Sequence, residues 1–453
     1  MTETYPKNKA RARLRSLAEA LDSGALAQVS RILNEDLTPG DIAHLLESSP
    51  PKERRLLWSL MDRELEGDVL AYIDDDIRAE FLADLDAQDV IELTEDFEVD
   101  DLADLLQQLP ESIYREVLSS MDEHDRQRVE EVLSYPEDSA GGLMNTDVVT
   151  VRPDITVDVV LRYLRMHKQL PPMTDSLIVV SRKDEYIGIL PITRLLVSQP
   201  AATVREIMRT DIEPIPVTLL DREVANLFER YDLVSAPVVD ERGRLVGRIT
   251  VDDVVDVIRE DADHEILSMA GLDEDDDMFA PIVQTAKNRA VWLGINLITA
   301  FVASAVVGMF QATIDKVVAL AVLMPIVASM GGIAGSQALT LVIRGMATGK
   351  VGSSNLGWLI NREFVVGVLN GLLWAVVVAI AAMVWFDDWT IGAIIASAML
   401  INLTIAALSG TVLPVVLKAL KIDPALAGGV ILTTLTDVVG FMSFLGLATL
   451  VYS

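Results

Sequence analysis

The sequence predicts a multidomain fold: an N-terminal α-helical solenoid, a tandem pair of α+β domains, a connecting helix and a five-helix α transmembrane domain. Three observations lead there. Charge divides the chain, with 62 acidic and 29 basic residues before Val283 against 6 and 8 from Val283 onward. Two unlike internal repeats occupy the charged part, and five long apolar runs fill the remainder. The expected segments are 1–137 for the acidic solenoid, 138–262 for the α+β pair (split into 138–203 and 204–262), 263–288 for the connecting helix and 289–453 for the membrane domain.

The solenoid rests on a repeat. DIAHLLESSPPKERRLLWSLMD at 41–62 returns as DLADLLQQLPESIYREVLSSMD at 101–122, an offset of 60 that aligns Asp41, Leu45, Leu46, Pro50, Met61 and Asp62 with Asp101, Leu105, Leu106, Pro110, Met121 and Asp122. Amphipathic spacing without a strand signal predicts stacked pairs of helices over 10–135.

The second repeat mixes strand and helix patterns. GLMNTDVVTVRPDITVDVVLRYL at 142–164 parallels EIMRTDIEPIPVTLLDREVANLF at 206–228, and YIGILPITRLL at 186–196 parallels LVGRITVDDVV at 245–255. The arrangement resembles a tandem pair of CBS domains, regulatory modules that often hold adenosyl nucleotides through a G-x-x-T-x-x-D pattern. Gly247, Thr250 and Asp253 match that pattern, whereas the first copy has Pro191 and Arg194 at the corresponding places. The resemblance therefore implies at most one nucleotide site, for a ligand such as ATP.

The five runs, near Val291–Phe310, Val317–Ile343, Phe364–Phe386, Ile391–Leu417 and Ala425–Tyr452, are each long enough to cross roughly 30 Å of hydrocarbon. With the acidic half inside, Lys287, Arg289, Arg344, Lys350, Arg362, Lys418 and Lys421 are cytoplasmic and only Lys316 is outside. This bias predicts an integral protein of the plasma (inner) membrane, its N-terminus cytoplasmic and its C-terminus extracytoplasmic. Residues 1–30 carry no apolar h-region, so no cleavable signal peptide is expected.

Asp437 stands alone in the last run, with no other charge after Asp423. A carboxylate at bilayer depth is costly and is kept where it meets a cation or a proton. No Lys or Arg lies inside the five runs to pair with it. Thr433 precedes it by one helical turn on the same face. In the second run, Pro325 followed by Gly331 and Gly332 is read as a helix break that exposes carbonyls to a path, with Gln337 beside it; close packing through small residues is the competing reading.

Beyond the α+β pair, TVDDVVDVIREDADHEIL places Asp253, Asp256 and Glu260 on one helical face and makes Asp261 and Glu265 a second i, i+4 pair, leading into DEDDD at 273–277. Like charges so spaced weaken a helix unless a cation neutralises them.

Solenoid, CBS pair, connecting helix and five spans, in that order, resemble the MgtE magnesium channel family, and IDPALAGGVILTTLTDVVGF carries its pore motif on Asp437. GGIAGSQ departs from the family's GGNAGxQ at Ile333. The resemblance implies a homodimer in the lipid bilayer that admits Mg2+ between its subunits. It also implies a sensor in which cytosolic Mg2+ bridges these acids with Asp232, Asp100, Asp101 and Asp104 and holds the path shut. A cation-coupled secondary transporter of divalent metals such as Co2+, Ni2+ and Mn2+, with Asp437 as coupling carboxylate, is the alternative; the inverted repeat common in such proteins is not evident.

Other classes are disfavoured. A net charge of -31 opposes a nucleic-acid surface. The absence of cysteine excludes disulfides and thiolate metal sites, and His44, His124, His167 and His264, far apart, are expected as surface or capping residues. No P-loop or nucleophile with a paired base suggests an enzyme.

Overall fold

The computed structural model describes Leu17 and residues 25–452 apart from 84, 95–96, 168, 273–277, 281 and 353. The main division between its two compact units falls after Asp261. The DEDDD run and most of the first 24 residues lie outside the described residues.

The first unit opens with α1 (Leu26–Arg31), extended by a π turn over Ile32–Asp36, and continues as α2 (Pro39–Glu47), α3 (Pro51–Ser59), α4 (Arg63–Leu70), α5 (Asp75–Leu82), α6 (Ala87–Leu93), α7 (Val99–Gln107), α8 (Glu111–Ser120) and α9 (Glu123–Val132). From α2 onward each helix starts 12 residues after the last, at 39, 51, 63, 75, 87, 99, 111 and 123. The starts are written in the sequence: Thr38 with Asp41 and Asp86 with Asp89 form capping boxes, and Pro39 and Pro51 sit in first turns. Helices α2, α4, α6 and α8 stack in one row, while α7 packs on α9. The 60-residue offset is thus five steps of a single-helix repeat rather than a shift by whole pairs, and it relates α2 in one row to α7 in the other. Buried Leu33, Leu46, Leu57, Leu70, Leu105 and Leu106 fill the space between rows. Arg54 is buried with them, its Nε donating to Leu46 O at 3.0 Å and its Nη1 to Glu80 Oε2 at 3.1 Å.

The α+β pair follows with β1 (Thr150–Val151), α10 (Val157–Met166), β2 (Ser176–Val180), β3 (Tyr186–Pro191), α11 (Ile192–Val197) and α12 (Val204–Ile207), then β4 (Ile215–Pro216), α13 (Asp221–Tyr231), β5 (Ser235–Val239), β6 (Leu245–Thr250) and α14 (Val251–Met269). Each copy is a three-stranded sheet, parallel between its first two strands and antiparallel between its last two. The copies exchange chain. Segment 139–145, which precedes the first sheet, bonds to Leu219, Val217 and Arg248 of the second copy, and Arg209 bonds reciprocally with Ile189 of the first. A boundary at 203/204 cuts the sequence repeat, but the folded halves are interleaved.

The expected connecting helix over 263–288 is not one helix. Its first part is the end of α14, which turns at Gly271 with φ +72°; its last part is the start of α15 (Ile282–Gly308). A short α16 (Gln311–Lys316) leads to α17 (Ala319–Ala347), α18 (Leu356–Phe386), α19 (Trp389–Ala419) and α20 (Pro424–Tyr452). Among the described residues, helices α15 and α17 to α20 are the five long and apolar enough to cross a membrane; α19 is the most enclosed and α15 the least. Close approach relies on small residues: a Cβ on Gly367 would meet Ala407 Cβ at 2.9 Å, and one on Gly410 would meet Gly335 O at 2.4 Å.

The expected break in the second span is absent. α17 runs unbroken through Pro325, Gly331 and Gly332. Proline is tolerated inside membrane helices because neighbouring helices and local adjustment re-satisfy the freed backbone.

Candidate functional site

Two groups of functional side chains stand out, one in each unit. In the membrane unit, an open groove of about 830 Å3 runs along α17, where Ser329, Gly332, Ser336, Gln337, Thr340 and Arg344 face Thr433 and Asp437 of α20. The helical period explains the wall: 329, 332, 336, 340 and 344 form one stripe of α17, while Gly331, Gly335 and Val342 form the buried stripe behind it. Asp437 lies midway along the 29-residue α20 and is half-buried. Among the described residues its carboxylate has neither a hydrogen bond nor an ion pair. The hydroxyl of Thr433 donates to Gly429 O at 3.0 Å and lies within reach of Val430 O at 3.1 Å, which leaves oxygen lone pairs for the groove.

Gly331 does not line this groove. It faces α19, where an added Cβ would lie 2.3 Å from Asn402 Nδ2. Asn402 is fully buried and donates to Val327 O at 2.9 Å, so Gly331 is a packing notch. The groove is also not free of basic residues: α17 extends beyond the apolar run and brings Arg344 to its wall.

In the first unit, the solenoid and the second α+β copy meet across a seam of carboxylates. α7 supplies Asp100, Asp101 and Asp104, and α14 supplies Asp253 and Asp256. Burial, reinforced by Asp253 and Asp101, drives Asp100 well above the usual carboxylate range. Burial with repulsion from Glu98 pushes Asp101 up to about 6. For Asp104, burial opposed by Arg78 and reinforced by Glu137 gives about 7, and for Asp253 burial with Asp252 gives about 7. Asp256 is raised by burial against the pull of Arg259, whose guanidinium bonds Asp74 at 2.5 Å. Sequence reasoning missed Glu98, whose carboxylate bonds Asn145 and is raised by burial and by Asp252. The signal was available as the third acid, with Asp100 and Asp101, at the start of α7. Asn145 also donates to Asp100 Oδ1 at 3.3 Å, so the exchanged segment ends in the seam. Among the described residues no three carboxylate or imidazole side chains converge tightly enough to chelate one ion.

Other expected acids lie elsewhere. Asp232 is exposed at the C-terminal cap of α13 with φ +50°, and none of the seam interactions includes it. Asp261 forms an ion pair with Arg222 of α13 at 2.5 Å. Glu260 lies beside Arg259, and Glu265 is half-buried on α14 within the second unit. His264 is no surface group: its Nε2 sits 3.1 Å from Asp423 Oδ2, and Asp423 Oδ1 caps Ala425 N at the start of α20. Gly247 is closed by Asn145 O and Met144, much as Gly188 is by Arg209 O. Thr250 Oγ1 bonds Asp252 and Asp253. The glycine admits the crossing segment, and threonine with aspartate caps α14.

A family model described as a divalent cation transporter, MgtE, matches residues 324–447; the MgtE intracellular N domain matches 37–138; CBS-domain models match 140–199 and 204–260. A magnesium transporter MgtE of Thermus thermophilus is 33% identical over 440 residues, 96% of this chain and 97% of its own. The chain belongs to the MgtE family. A second MgtE magnesium transporter, from Bacillus subtilis, is 30% identical over 419 residues, covering 92% of this chain and 93% of its own. A solved structure of the cytosolic domain of an Mg2+ channel MgtE in complex with ATP is 35% identical, spans 53% of this chain and 98% of that one, and aligns with a TM-score of 0.48. In MgtE terms, the carboxylate seam lies where the N domain meets the second CBS domain. The groove with Asp437 lies in the transporter domain of an integral membrane protein with five apolar helices.

Proposed function

We propose that this MgtE-family chain admits Mg2+ through a path walled by the α17–α20 groove, with two chains facing each other and cytosolic Mg2+ closing the path through the carboxylate seam. The observation that carries the reading is Asp437, a half-buried carboxylate without a side-chain partner among the described residues, midway along a membrane helix and open to the groove, whose wall mixes Ser, Thr and Gln with apolar Ile333 and Leu341. Mg2+ dehydrates reluctantly and keeps several waters. Carboxylate, hydroxyl and amide acceptors on a groove wall suit the coordinated waters better than a stripped cage. One carboxylate per chain is a small charge for a divalent ion, and a second chain doubles it.

The seam supplies the regulation. Buried acids of like charge hold the N and CBS domains together poorly when ionised, and a hydrated divalent cation offsets their repulsion. Cytosolic Mg2+ therefore favours the docked arrangement, and its loss favours release, a population shift driven by differential affinity. The clustering of Lys287, Arg289, Arg344, Lys350, Arg362, Lys418 and Lys421 at one set of span ends supports a cytoplasmic acidic unit. Gly247, Thr250 and Asp253 keep the G-x-x-T-x-x-D match as a candidate site for a nucleotide such as ATP, the ligand named for the solved MgtE cytosolic domain.

Mg2+ flux into proteoliposomes over a series of internal Mg2+ concentrations tests both parts. Wild type is expected to conduct at low internal Mg2+ and to fall silent as it rises; Asp437→Ala is expected to lose flux throughout while still folding. Flux retained in Asp437→Ala overturns the path. Flux that vanishes without a proton or sodium gradient favours coupled transport instead.

A further inference from the structure

We infer that Arg344 is an electrostatic barrier at the cytoplasmic end of the ion path and makes conduction directional; this rests on the groove being the wall of that path. The groove carries two charged side chains, and they differ in sign and position. Asp437 comes from the middle of α20, whereas Arg344 comes from the last turn of α17, seven residues or about 10 Å beyond Gln337. Arg344 is exposed, and among the described residues its guanidinium has no ion pair or hydrogen bond. Between the two charges the wall is neutral, with Ser336, Gln337 and Thr340.

An arginine that merely anchors a helix end needs no place on the groove. One on the wall of a cation path disfavours the cation at that point, as basic side chains do where pores reject positive ions. A divalent ion feels twice the repulsion of a monovalent one, and two facing chains double it again. An ion leaving Asp437 toward the cytoplasm passes the guanidinium once and then escapes into bulk solution. An ion entering from the cytoplasm meets it first and is depleted at the mouth. Under an applied voltage inward current therefore exceeds outward current, with no net flow at equal concentrations and zero voltage, and the asymmetry fades with ionic strength because the charge is exposed.

The test uses the full-length chain in planar bilayers with equal Mg2+ on both sides, held in the low range in which the path is open, and records current against voltage. Wild type is expected to pass more inward than outward current. Arg344→Gln should raise the outward-to-inward ratio roughly three- to tenfold at low salt and less at high salt, while Arg344→Lys keeps the wild-type ratio. The chain contains no cysteine, so Arg344→Cys offers a single reactive thiol: a cationic methanethiosulfonate should restore the inward bias within one recording, and a neutral reagent of similar size should not. This in-place comparison remains decisive if the glutamine variant fails to fold. A ratio that stays unchanged in Arg344→Gln, or responds equally to both reagents, overturns the barrier. Asp437→Asn separates the two proposals: if it conducts normally, the path itself is wrong, whereas its silence beside an indifferent Arg344 refutes the barrier alone.

Discussion

Asp100, buried on α7, and Asp253, half-buried on α14, repel one another when ionised, one from the N domain and one from the second CBS domain. Neutralising one side of such a contact removes the need for a counter-ion. Asp253→Asn combined with Asp256→Asn should leave the path closed at internal Mg2+ concentrations that open wild type. Patch recordings over a Mg2+ series check this, and an unchanged midpoint rejects the seam as sensor.

The same acids predict a pH dependence with a definite sign. Their folded values lie above the ordinary aspartate value of 3.8, at about 6 for Asp101 and about 7 for Asp104 and Asp253. The folded unit thus binds more protons than the unfolded chain. Their contribution to stability is complete below about pH 4 and is lost as pH rises through 6 to 7. In chelator, the melting temperature of the full chain in detergent should fall over that window by an amount reflecting roughly 1.4 kcal/mol per unit of displacement. Mg2+ should reverse the fall, and more strongly at pH 8 than at pH 5. A flat profile in chelator contradicts the buried seam.

Adjacent positions on membrane helices should tolerate change unequally. Gly410→Ala drives a methyl into Gly335 O, 2.4 Å away, so α17 and α19 must separate. A loss of about 1–3 kcal/mol is expected, read as a lower melting temperature in detergent. Gly332→Ala meets nothing within 4 Å and should melt like wild type.

Arg54 offers a control within the solenoid. It is 1% exposed and serves both Glu80 and the Leu46 carbonyl. Arg54→Ala should cost about 3 kcal/mol of stability, since it strands a buried acceptor and opens a cavity. Mg2+ flux in the folded fraction should be unaffected.

Much of this molecule could be read from residue order. Five apolar runs, the 60-residue offset and the position of Asp437 needed only counting and the helical period. The errors share a cause: periodicity names a stripe of residues but not which neighbour the stripe meets. Gly331 and Gly332 are one residue apart, about 100° around a helix, and only the second reaches the groove. Asp253 and Asp261 sit two turns apart on α14, yet one enters the carboxylate seam and the other finds Arg222. Pro325 with its glycines fits either a broken, path-lining helix or close packing of an unbroken one, and only the neighbouring helices, which the residue order does not name, decide for the second. The link from His264 to Asp423 joins positions far apart in the chain, and no local pattern announces it.

The crossing segments of the CBS pair have a mechanical meaning. Segment 139–145 completes the second copy and Arg209 completes the first, each through main-chain hydrogen bonds rather than side-chain contact alone. Neither copy can be pulled from the other without tearing open both, so a gene cut at the repeat boundary would yield two incomplete products instead of two modules. The two copies are therefore one mechanical piece, since strain on the exchanged segment of either is carried by main-chain hydrogen bonds into the sheet of the other.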